Sequence, residues 1–183
     1  TIEKQRLAKP NVRQEHICLM SPAVPAQDQR RFAALLLSRV IGDATGSRYF
    51  WELVDKALAE TAYMDLGPMD GTGELHSYIR CASKNVDKVL DTVNRIFSDI
   101  KENGITDQEL QKAKNKLVSS IVIKNEVPLG RLVDLGVNWL YLHEYRSIEQ
   151  DIDAFKEVTR EQLEDFAREF DPARYTVFSI GPE

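Results

Sequence analysis

Long apolar stretches are missing from this 183-residue chain. The longest run, Phe32 to Leu37, is far short of the roughly 20 residues that cross a bilayer, so no membrane span is expected. Cysteine is scarce: Cys18 and Cys81 are the only two, too few for a disulfide framework or a zinc ribbon. Both sit in strand-like runs, where a free cysteine usually packs as a small apolar residue. Clusters of cationic residues are missing too. With 24 Lys+Arg against 29 Asp+Glu the formal charge is −5, which argues against nucleic acid as a partner. No signal-peptide pattern opens the sequence, and the compartment stays open between cytoplasm and periplasm. The first residues, Thr1-Ile2-Glu3-Lys4, include no Met, and the expectation is a piece cut from something longer.

What is present is an ordinary globular composition, 43% hydrophobic. A chain of this length can bury a core without disulfides or metals to staple it. Residues 1–14 are polar, broken by Pro10, and read as a linker or a strand that enters the fold. Residues 15–183 read as a single domain.

Along that domain the periodicity changes in a fixed order. His16 to Met20 is a short buried strand closed by Pro22 and Pro25. Asp28 is a candidate cap for a helix carrying Phe32, Leu35, Leu36 and Val40, stopped by Gly42. Ser47 is a cap for a second helix through Phe50, Trp51 and Val54. Thr61 to Leu66 and Glu74 to Ala82 alternate as strands around a glycine-rich turn. In the second of these, Leu75, Ser77, Ile79 and Cys81 share one face, and His76, Tyr78 and Arg80 the other. Asn85 is the cap of a strongly amphipathic helix from Val86 to Ile100, ended by Gly104. Three capping boxes announce three more helices: Thr106 with Glu109, Ser147 with Gln150, and Thr159 with Gln162. Leu129 to Glu144 is also helical, started by Pro128, and Arg174 to Ile180 is a closing strand. This order predicts an α+β fold, a mixed or antiparallel sheet with helices mainly on one face.

No catalytic centre is visible in the residue pattern. His143-Glu144 begins like H-E-x-x-H, but the second His is Ser147; Glu15-His16 ends like H-x-x-E-H, but the first His is Val12. With His76, these read as ordinary strand or surface histidines, and no metal ligand is assigned. Ser119-Ser120 has no base near it. The Gly42–Gly46 and Gly67–Gly73 stretches match no phosphate loop and read as connections. Trp139, Tyr141 and Tyr145, with Leu132, Leu135, Leu140 and Leu142, read as core.

The pattern as a whole resembles a family. Gly42 through Leu53, containing Ser47-Arg48-Tyr49-Phe50-Trp51-Glu52-Leu53, resembles the glycine-rich Ser-Arg-Leu-Phe-x-Glu-Leu stretch of pitrilysin/insulinase-type zinc metallopeptidases. Ala57-Leu58-Ala59 is similar to its Gly-Leu-Ala. Ile105 to Asn115, Val158 to Leu163 and Arg174 to Pro182 are similar to its later helix starts and closing strand. The resemblance implies a clamshell of two similar α+β halves around a peptide. The N-terminal half carries the H-x-x-E-H zinc site, whose metal polarises the peptide carbonyl and whose Glu activates water. This chain resembles the C-terminal, metal-free half, as in mitochondrial-processing-peptidase-like proteins.

Several expectations come with that resemblance. The parent protein would be a zinc metalloendopeptidase, and this fragment alone would be inactive, without cofactor. Its partners would be an upstream catalytic half, in the same chain or another, and a peptide substrate. Many members present an Arg and a Tyr from this half toward the substrate. Aligned on Leu58-Ala59, the Tyr falls at Glu60 and the Arg at Leu53 or Val54, with Tyr63 as a shifted substitute. Tyr63 and Glu60 are therefore the substrate-binding candidates. The alternative is a scaffold or assembly subunit from a non-catalytic relative. Apart from the resemblance, the expectation would be a protein-interaction module with an exposed edge at Glu74 to Ala82.

Overall fold

Period-two alternation sets the sheet. The structure, a computed structural model, describes residues 3–183. Its strands are β1 (Lys4–Ala8), β2 (Glu15–Ala23), β3 (Thr61–Pro68), β4 (Gly73–Cys81) and β5 (Thr176–Gly181). They form one mixed sheet in the order β1-β5-β2-β4-β3, parallel only between β1 and β5. The Glu74 to Ala82 run is not an edge. It lies between β2 and β3, because both of its rows of backbone groups are paired.

Part of the 1–14 segment is thus strand, while Thr1 and Ile2 lie outside the described residues. A buried carboxylate fastens this strand. Glu15 is fully buried, and Arg6 donates to its two oxygens at 2.9 and 3.1 Å while Ser179 donates at 2.8 Å. Burial pushes the Glu15 carboxyl upward, but these donors outweigh it and hold the group below the usual carboxylate range. Arg6, Glu15 and Ser179 come from β1, β2 and β5, so one polar cluster ties three strands together.

The helices are α1 (Arg31–Gly42), α2 (Val86–Asn103), α3 (Asp107–Glu126), α4 (Pro128–Leu142), α5 (Ile148–Glu157) and α6 (Arg160–Glu169). Capping boxes form at Thr106, Ser147 and Thr159 as their spacing requires. Two expected caps do not form. Asp28 lies too early for a helix beginning at Arg31, and its carboxylate accepts from Arg30 N at 2.8 Å in the preceding turn. The Asn85 side chain instead donates to Leu58 O at 3.1 Å.

The segment after Ser47 is also irregular. Ser47 does cap it, accepting from Phe50 N at 3.1 Å, but Phe50–Val54 is a π-helical turn. Its wider turn buries Tyr49 and Leu53 rather than Phe50, Trp51 and Val54, and Tyr49 meets Ser77 at 3.0 Å.

One apolar core joins the sheet to the helices. Ile17, Leu19, Met64, Leu75, Ile79 and Val177 pack with Leu36, Leu37, Val93, Phe97 and Leu163. α4 departs from expectation. No residue on it is buried, and Trp139, Leu132, Leu140 and nearby Tyr145 are exposed rather than core. The inward side of this helix is mixed: Arg131, Asp134 and Asn138 are partly buried there beside Leu135, Tyr141 and Leu142, and Arg131 binds Arg146 O at 2.8 Å while Asp134 binds Lys124 at 2.5 Å. With those polar groups held inward, Leu132, Trp139 and Leu140 are left on the outside. Among the described residues no helix is long and apolar enough to cross a membrane.

Candidate functional site

With inward residues buried, every second residue of the strands faces away from the core. The register places them in rows. One row runs Tyr63, Tyr78, Cys18, Phe178 and Gln5 across β3, β4, β2, β5 and β1. A second runs Asp65, His76, Met20 and Thr176, and a third Thr61, Arg80, His16 and Ile180. Tyr63, Met20 and Phe178 are 40–47% exposed, so this face is open where the other is packed.

Its side chains are coupled to one another. The Tyr63 and Tyr78 rings lie 5.4 Å apart, and the His76 ring meets Tyr63 edge-on at 6.5 Å. His16 Nδ1 and the Tyr78 hydroxyl are 2.7 Å apart. At the end of this face Arg80 pairs with Glu60 at 3.2 Å, and Gln14 donates to the same carboxylate. Arg80 Nε and Glu74 Oε2 are buried and have no partner, so each holds an unused hydrogen-bonding atom at this face. Tyr63 therefore projects onto the open face itself, and Glu60 sits at its rim, held by Arg80. Alternation had put His76, Tyr78 and Arg80 on one side of β4. What it could not supply was the register that brings Tyr78 beside Tyr63 and Arg80 beside Glu60.

Among the described residues no group of three or more His, Cys, Asp or Glu side chains is placed to hold a metal ion, so the donor set does not fit zinc. His143 is the left-handed residue that ends α4. Burial pushes the Cys81 thiol up to about 11 and raises that of Cys18, so neither is a poised thiolate.

A family model for the peptidase M16 inactive domain matches residues 1–117. The chain belongs to that family. The expected likeness to the metal-free half of a zinc peptidase is thereby borne out. This M16 inactive domain is 24% identical over 175 residues to the uncharacterized zinc protease YmxG of Bacillus subtilis, covering 95% of the chain and 43% of the relative. It spans less than half the length of the curated relatives it matches. A crystal structure of a peptidase M16 inactive domain from Pseudomonas fluorescens shares its fold, with a TM-score of 0.84 at 20% identity, over 100% of this chain and 44% of that one. A chain in complex III2 from Candida albicans shares it at 0.88 and 11% identity, over 99% and 46%.

Inside this M16 inactive domain the motif residues have structural work. Arg48 binds Glu109, Asp99 and the carbonyl of Gly104. Leu53, one of the two places where the family's Arg would fall, is fully buried and cannot present a side chain to a peptide. Ala57 has φ 54°, a left-handed conformation at the position where the similar stretch has Gly.

Proposed function

We propose that this domain is the wall of a peptidase chamber. Its open sheet face encloses a peptide, and an upstream half bearing zinc carries out cleavage. The observation that supports this reading is the aromatic and hydrogen-bonding row on a sheet face that no helix covers. Tyr63, Tyr78 and Phe178 give an extended peptide apolar contact, and Arg80 and His16 give polar contact at one end. Zinc supplies the polarised carbonyl when bound to the other half. This half binds, orients and excludes water.

The test is Tyr63→Ala in the complete peptidase. KM is expected to rise roughly fivefold to tenfold, the loss of one partly exposed aromatic contact, with zinc content unchanged. Unchanged KM and kcat would refute a substrate role for this face. A scaffold reading is favoured by one observation, the absence of the family's Arg and Tyr at Leu53, Val54 and Glu60. It requires an upstream half without intact H-x-x-E-H, so that motif's presence in the parent sequence rejects it.

A further inference from the structure

α4 is inside out. Leu129, Leu132, Val133, Gly136, Val137 and Leu140 fall at i, i+3, i+4, i+7, i+8 and i+11, one stripe of a helix. All six are exposed, Leu129, Leu132 and Leu140 by about two thirds. Ile123 near the end of α3 and Val127 in the turn before α4 extend the patch, exposed by 65% and 55%. No charged residue interrupts the stripe; of the charges α4 does carry, Asp134 pairs with Lys124 and Arg131 donates to the carbonyl of Arg146. A contiguous apolar patch of this kind marks a contact surface. At its centre Gly136 leaves open space where a side chain would stand, so another helix can come close to the α4 backbone.

We propose that this stripe seats an apolar helical face of the zinc-bearing half. The occupant is argued from length. The curated relatives are more than twice as long as the region this chain matches, so they hold a further unit of at least its size. A neutral apolar stripe suits a permanent neighbour of that kind, since obligate interfaces resemble a domain core cut in two. The inference rests on the functional reading above for the identity of the partner. It assigns separate duties to two surfaces: the sheet face meets peptide, and the α4 stripe meets the other half.

Leu132→Cys tests it. In the 183-residue chain this thiol is expected to react with a disulfide reagent at the rate of an exposed cysteine, with the unsubstituted chain as the blank. In the complete protein the reaction is expected to slow by roughly a hundredfold or more. A second variant, Leu132→Asp with Leu140→Asp, is expected to lower peptide cleavage by the complete protein at least about tenfold. It should leave the melting temperature of the 183-residue chain unchanged, since neither side chain is in its core. Equal thiol reactivity in both proteins overturns the docking proposal while leaving the chamber reading standing. Protection that appears in the 183-residue chain alone as its concentration rises makes a second copy the occupant and also overturns it. Protection in a complete protein that cleaves nothing upholds the docking and removes the chamber reading.

Discussion

Replacing Gly42 by Val is expected to leave the domain unfolded or nearly so. Gly42 is the last residue of α1, and it is buried against β3. A Cβ there would overlap the backbone nitrogen and Cβ of Met64 and lie 2.9 Å from its Cα. Backbone cannot rotate away as a side-chain tip can. α1 cannot retreat either, because Leu36, Leu37 and Ile41 anchor the same helix with no exposure at all. Gly42→Ala separates two opposed effects. Helix propensity favours Ala over Gly by up to about 1 kcal/mol. Overpacking against fixed backbone costs about 1–3 kcal/mol or more, so packing wins and the variant is destabilised. Val adds two more methyl groups to the same overlap and takes a large share of the ~5–15 kcal/mol that holds a domain together. Thermal melts followed by circular dichroism check the order wild type, then Ala, then Val. A Gly42→Ala variant that melts at or above wild type would show that α1 and β3 are not this close.

Arg48→Ala is expected to cost about 2–3 kcal/mol. Arg48 has only 14% of its side chain exposed, and it holds Glu109 by two bonds at 2.8 and 3.2 Å and Gly104 O at 2.9 Å. Asp99, half-exposed, adds little. Burial pushes the Glu109 carboxyl up, but Arg48 and the Thr106 cap outweigh it and hold the group below its ordinary value of 4.5. A carboxyl lowered in the folded state gives stability that is present above that ordinary value. The stability is lost as pH falls through the folded value. Wild type should therefore lose this contribution only in acid, and Arg48→Ala should lack it already at neutral pH. Urea titrations at pH 7 and in the acid range check this, with the gap between the two proteins closing in acid. A gap that stays constant with pH would remove Glu109 from the account.

How much of this was legible beforehand depended on range. Capping boxes are local, and all three expected from spacing at Thr106, Ser147 and Thr159 form. Alternation in β4 sorted Leu75, Ser77, Ile79 and Cys81 from His76, Tyr78 and Arg80 for the same reason. Asn85 was misread because a side chain that can cap can also reach a distant carbonyl, here Leu58 O. The α4 stripe was misread because periodicity says which residues share a face and not what covers it. The partners that hold its Arg131 and Asp134 inward, Arg146 and Lys124, lie outside α4. The candidate site was half legible. Tyr63 and Glu60 followed from the family pattern, while Tyr78, Arg80, His16 and Phe178 needed the register of four strands.

The central claim is that bond making belongs to another half. The most direct measurement is peptide cleavage by the 183-residue chain alone, with zinc supplied, beside the same chain combined with the zinc-bearing half. The account predicts no zinc-dependent cleavage above the blank for the chain alone and cleavage for the combination. Zinc-dependent turnover by the chain alone, abolished by a chelator and restored by the metal, would contradict it.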